Sequence, residues 1–104
     1  MKQVNVNELT KVAVFGGNDT QTYVKVGKKQ GFEVTHHKGK SRNGGSRKVF
    51  EPIIRKADCV VMLHELGHVP MDIVKEVCKD LNVPFVINAG ISGALQKSKE
   101  VLAA

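Results

Sequence analysis

Short apolar runs separated by amphipathic stretches of helical length constrain this chain more than any other feature. Lys11-Val-Ala-Val-Phe15 is a continuous apolar run closed by Gly16-Gly17, the pattern of a strand buried on both faces. Phe32-Glu-Val-Thr35 reads as a second strand, Cys59-Val-Val-Met-Leu63 as the strongest of all and Pro84-Phe-Val-Ile87 as a fourth. Asn18, Asp19 and Thr20 supply capping oxygens for a helix reaching Gln30, with Gly31 as its stop. Val49, Phe50, Ile53 and Ile54 share the inner face of a second helix, where Pro52 fits only in the first turn. Pro70 opens a third, with Met71, Val74, Val77, Cys78 and Leu81 on its inner face and Asn82 at its end. Ser92 caps a fourth that buries Ala94, Leu95, Val101 and Leu102.

This βαβαβαβα order predicts an α/β fold: a small three-layer, doubly wound, Rossmann-like sheet of four parallel strands in the order 2-1-3-4, with helices on both faces. The 104 residues suit a single domain, with 1–10 as a lead-in. A hydrophobic content of 41% supports a core without disulfides or structural metal. No apolar run approaches the roughly 20 residues that span a bilayer. The first residues lack the apolar centre of a signal peptide. Cys59 and Cys78, both in apolar periodic segments, read as small core residues in a reducing compartment. The expected location is cytoplasmic.

In an open parallel sheet, ligands lie beyond the carboxyl ends of the strands, where strand order reverses. Here that is between the first and third strands. The residues expected there are Gly16-Gly17-Asn18, His36-His37-Lys38, His64-Glu65 with His68, and Asn88-Ala89-Gly90, so all four histidines fall on one edge. Gly16-Gly17 can bring backbone N–H groups and a helix N-terminus close to an anion. The pair belongs to neither the dinucleotide fingerprint nor the P-loop pattern, and a tight turn without ligand explains it equally well.

Charge adds to this. Residues 25–48 hold eight cations (Lys25, Lys28, Lys29, Lys38, Lys40, Arg42, Arg47 and Lys48) against Glu33 alone, a local excess above the whole-chain +6. Such a field suits phosphate-bearing ligands, with a solvated basic face as the plain alternative. The glycine-rich segment from Lys38 to Lys48 can wrap an anion with Lys40, Arg42 and Arg47. Aromatic residues are few, Tyr23 and four Phe, so base stacking is not expected and nucleic acid is left with plain backbone contact.

His64-Glu65-Leu66-Gly67-His68 matches the H-E-x-x-H zinc motif of metalloproteases, whose histidines must share one helical face. The motif continues a strand, contains Gly67 and precedes Pro70, so the helix is expected to start after it, and a protease is rejected. A haem or divalent metal held by His68 with His37 or His64 needs no such helix and remains an alternative.

Taken in order and spacing, Val-Ala-Val-Phe-Gly-Gly17, Tyr23, His37-Lys-Gly39, Ala57-Asp58-Cys-Val-Val, His68 and Lys75-Glu-Val-Cys-Lys79 resemble the bacterial domain-of-unknown-function family 2325, over Lys11 to Leu102. The resemblance implies a compact α/β domain and points to Gly16, Gly17, His37, Gly39, His68 and Lys75. It implies no settled activity. His64 lies outside the shared pattern. A receiver domain would need acidic residues where Gly16-Gly17 and Leu63-His64 stand, and a flavodoxin-like carrier would need more aromatics.

The leading expectation is a regulatory or accessory binding domain for a small phosphate-bearing anion, using Gly16, Gly17, Asn18, His37, Gly39, Lys40, Arg42, Arg47, His68 and Lys75. A small enzyme with histidine as general acid/base ranks behind the haem or metal alternative. Homodimerisation through the sheet edges is compatible with so small a sheet.

Overall fold

Each apolar run becomes a strand and each amphipathic stretch a helix in the computed structural model of the chain, which describes residues 9–39 and 47–103. The order is β1 (Thr10–Phe15), α1 (Thr20–Lys29), β2 (Phe32–His37), α2 (Arg47–Arg55), β3 (Cys59–Leu63), α3 (His68–Leu81), β4 (Phe85–Asn88) and α4 (Ile91–Ala103). All three pairings are parallel, and the strands lie in the order β2-β1-β3-β4. This is the doubly wound α/β sheet expected from the sequence.

Alternation along the strands divides the apolar residues between two cores. Val12, Val14, Val34, Val61 and Leu63 pack with Tyr23 of α1 and with Ala94 and Leu95 of α4. Ala13, Phe15, Val60 and Met62 pack on the other face with Phe50 and Ile54 of α2 and Val74, Val77 and Cys78 of α3. The central strand β3 is buried at every residue, which is why its sequence is unbroken by a polar side chain. Gly27 lets α1 come down onto β2, since a Cβ there would overlap the Val34 side chain. At the amino ends of the strands Asp58 staples β1 to β3. Its N–H donates to the Lys11 carbonyl at 2.7 Å, and its carboxylate accepts from the Lys11 N–H at 2.9 Å.

Several local expectations are corrected. β2 continues through His36 and His37, because both pair with the end of β1 in the register Val14↔His36 and Phe15↔His37. Pro52 stands inside α2, beyond its first turn, where it offers no N–H to the Lys48 carbonyl. α3 opens at His68 behind Gly67, placing Pro70 third in the helix and still within the first turn. Ser92 is the second residue of α4 rather than its cap. Val49, Val101 and Leu102, expected inside, are exposed. Among the described residues, no helix is long and apolar enough to cross a membrane.

Candidate functional site

β1 and β3 are neighbours whose chains depart to opposite faces, to α1 and α3 respectively, and the turns leaving them meet at the carboxyl edge. Gly16 and Gly17 both take positive φ, +99° and +77°, a conformation costly for any residue with a Cβ. The Gly16 N–H donates to the His37 carbonyl at 2.9 Å, tying the turn to β2. From the β3 side Leu66 folds back, its N–H donating to the Leu63 carbonyl at 2.9 Å, and its side chain is buried. A Cβ on Gly16 would lie 3.1 Å from both the Cβ and N of Leu66, and one on Gly39 would meet the Leu66 side chain. A Cβ on Gly17 would overlap the Tyr23 hydroxyl. The three glycines are thus required by packing as well as by φ, since Gly39 is also at +80°.

His36 and His37 are adjacent in β2 and so face opposite sides of the sheet. His36 lies on the α1 side. Its Nε2 is 2.7 Å from the Gly16 carbonyl and its Nδ1 is 2.6 Å from Thr20 Oγ1. A carbonyl can only accept, which places the proton on Nε2 and leaves Nδ1 to accept from the Thr20 hydroxyl. The Tyr23 ring stands edge-on to this imidazole at 4.8 Å.

His37 turns to the other core, against Phe15 at 6.0 Å and edge-on to Phe50 at 5.3 Å. Its Nδ1 accepts from the Gly39 N–H at 2.8 Å. Burial, and then the neighbouring His36, hold its pKa below the ordinary histidine value. At neutral pH His37 is therefore a neutral ring with its proton on Nε2.

Of the residues singled out from sequence, Gly16, Gly17, His37 and Gly39 form one connected turn system. Asn18 follows it on an exposed bend. His68 is the exposed first residue of α3, on the same edge, while Lys75 is half-buried two helical turns further along. His64 is exposed in the turn after β3. Arg47 is already engaged: its guanidinium lies 2.7 Å from Asp80, 3.2 Å from Glu76 and 3.7 Å from Glu51, bridging α2 to α3. Lys40 and Arg42 lie outside the described residues. Thr20 and Leu66 do not stand out by composition, and His36 does so only as one of the four histidines of this edge, sharing the strand face of Phe32 and Val34.

The basic stretch is continuous in sequence and divided in space. α1 begins at the carboxyl edge and runs back, so Lys28 and Lys29 in its last turn sit at the opposite edge, where they suit the negative end of the helix dipole. The α1 N-terminus is served by the chain's own Asp19. One carboxylate oxygen accepts from the Thr22 N–H at 3.3 Å, and the other from the Thr22 hydroxyl at 2.7 Å. Asp19 thus occupies the Thr22 amide by its side chain and the Tyr23 amide by its carbonyl.

For the metal alternative, both nitrogens of His36 and Nδ1 of His37 are engaged in hydrogen bonds. The helical start at His68 separates it from His64, so the two do not share a helical face. Among the described residues, no three His, Cys, Asp or Glu side chains converge as a metal set. Cys59 and Cys78 are unpaired and buried. Burial raises both thiol pKa values, that of Cys78 to about 12, so neither is poised as a nucleophile.

A family model described as "uncharacterized protein conserved in bacteria (DUF2325)" matches residues 11–100. Among curated proteins, UPF0751 proteins of Bacillus cereus (strain AH820) and of Bacillus anthracis are each 36% identical to this chain over 86 residues, spanning 82% of it and 86% of the relative. No solved structure matches the chain significantly.

Proposed function

The chain belongs to the DUF2325 family of uncharacterised bacterial proteins, and we propose that it is a cytoplasmic binding domain for a small phosphate-bearing anion held at the carboxyl edge of its sheet. The observation that carries this is the paired positive-φ turn of Gly16 and Gly17 at the point where strand order reverses. Successive amides in such a turn make a concave cluster of donors. Among the described residues, the amides of Gly17 and Asn18 meet no backbone acceptor. Lys38 is exposed directly after β2, and Lys40 and Arg42, which follow it in sequence, lie outside the described residues. His37, neutral with its proton on Nε2, is a donor rather than a competing charge, and His68 stands at the opening of α3. Arg47 is left out of this site because its guanidinium holds α2 to α3. The buried, unpaired thiols suit a reducing compartment. The unpaired edges of β2 and β4 offer backbone for self-association.

Native mass spectrometry of the purified protein tests this, combined with titration by inorganic pyrophosphate. A retained phosphate-bearing mass, or saturable pyrophosphate binding that Lys38→Glu weakens about tenfold, is the expected result. Gly17→Ala should weaken binding further, with circular dichroism confirming that the variant is folded. No saturable binding, or equal binding by folded Lys38→Glu and Gly17→Ala variants, would contradict the proposal.

A further inference from the structure

Thr20, His36 and the Gly16 carbonyl form a chain of hydrogen bonds that anion binding does not use. Thr20 Oγ1 lies 2.6 Å from His36 Nδ1, and His36 Nε2 lies 2.7 Å from the Gly16 oxygen. The carbonyl fixes the tautomer so that the lone pair of Nδ1 faces the hydroxyl. This is the relation of nucleophile, base and orienting group that activates hydroxyls in acyl transfer. The ring is held on further sides, by the β1 register that sets His36 opposite Val14 and by the Tyr23 edge at 4.8 Å. Thr20 itself is exposed, as the first residue of α1.

We propose that Thr20 is a nucleophile activated by His36, and that it accepts acyl groups from small carboxylic esters. Thr20, Gln21, Val24 and Lys25 line a shallow surface depression, with Val24 40% exposed, so a short apolar acyl chain has a surface to lie on beside the hydroxyl. Thr20 Oγ1 attacks the ester carbonyl carbon while its proton passes to His36 Nδ1. The bond from that carbon to the leaving oxygen then breaks, and the imidazolium returns the proton to the departing alkoxide. Water, deprotonated by the same nitrogen, hydrolyses the Thr20 ester to release the acid and restore the hydroxyl. The net change is ester plus water to acid plus alcohol. The amides of Gly17 and Asn18, just ahead of Thr20 in the chain, are the nearest backbone donors in sequence for the developing oxyanion.

The alternative role for the same hydrogen bonds is a tether between the start of α1 and the end of β2, and labelling chemistry separates the two. An alkyl fluorophosphonate loses fluoride to an activated hydroxyl and leaves a phosphonyl ester of known mass, which peptide mapping can locate. The expected outcome is one adduct on Thr20, none on the exposed Thr22 of the same helix, and slow turnover of p-nitrophenyl butyrate. Thr20→Ser should keep the adduct and folded Thr20→Val should lose both adduct and turnover. His36→Gln should label about 100-fold more slowly. An adduct absent from Thr20, spread equally over Thr20 and Thr22, or formed at an unchanged rate in folded His36→Gln would overturn the proposal. Because neither the fluorophosphonate nor the ester carries a phosphate dianion, these outcomes do not depend on whether pyrophosphate binds.

Discussion

His36 and His37 are chemically identical neighbours placed in different surroundings by one step along a strand. His36 braces a backbone carbonyl and a hydroxyl, whereas His37 is wedged between Phe15 and Phe50 and accepts from the Gly39 amide. Protonating His37 at Nδ1 breaks that acceptance, in keeping with its lowered pKa. The unfolded chain then takes up the proton first. The contribution of His37 to stability is complete above the ordinary histidine value and is lost as pH falls through and below it. Asn at this position can still offer an oxygen to Gly39 but does not titrate. His37→Asn should therefore flatten the acid side of the stability curve, while His37→Leu should cost about 1–3 kcal/mol by stranding a buried amide. Urea unfolding at neutral and mildly acidic pH checks both. Gly17 offers a second residue-scale prediction. Gly17→Ala should destabilise by about 1–2 kcal/mol from φ alone, and more through overlap with the Tyr23 hydroxyl. Adding Tyr23→Phe should recover only some of the second part, because the ring carbon Cζ would still lie 2.9 Å from the new Cβ, and none of the first.

Among the elements, α2 departs furthest from what its sequence advertises. Pro52 lies inside it, so the Lys48 carbonyl lacks its usual partner, yet Phe50 and Ile54 are fully buried. Packing holds this helix where propensity disfavours it. Pro52→Ala restores the donor at an exposed position and should stabilise the protein by about 1 kcal/mol or more, read as a higher urea midpoint at unchanged slope. Arg47→Ala should loosen α2 from α3 by a smaller amount that vanishes in high salt, because its ion pairs are exposed. The strands were the legible part of the fold. β1 and β3 are continuous apolar runs, β3 buried throughout, and β2 alternates apolar with polar residues, so period and length identify them as strands. Boundaries were less so. β2 runs on into two histidines because pairing with β1 is available to any backbone, whatever the side chains. Val101 and Leu102 fit a helical stripe but, in the last turn of α4, each keeps 38% of its surface exposed. The site was legible as a place, through topology and the Gly16-Gly17 pair, whereas the Thr20–His36 contact joins residues 16 apart whose distance only the α1 geometry fixes.

For the whole molecule, the fold separates what the sequence runs together. Among the described cations of residues 25–48, Lys28 and Lys29 sit at the edge opposite Lys38 and Arg47 is held in an α2–α3 ion-pair network, so only part of this charge serves the carboxyl edge. The two cores also set the alkaline limit of stability. The Cys78 thiol, pushed up to about 12 by burial, stays protonated in the fold while the unfolded chain ionises. Its contribution to stability is full below the ordinary thiol value, near ~8.5, and falls as pH rises through it. A thiol reagent should find neither cysteine in the native protein and both after unfolding. The central claim, an anion held by the glycine turn, concerns particular backbone amides and can be read at each of them. An amide ¹H–¹⁵N titration with pyrophosphate should give saturable shifts largest at Gly17, Asn18, Lys38 and Gly39, with Lys28 and Lys29 at the far edge unmoved. Shifts that do not saturate, or that centre on the α1 lysines while Gly17 and Asn18 stay still, would contradict it.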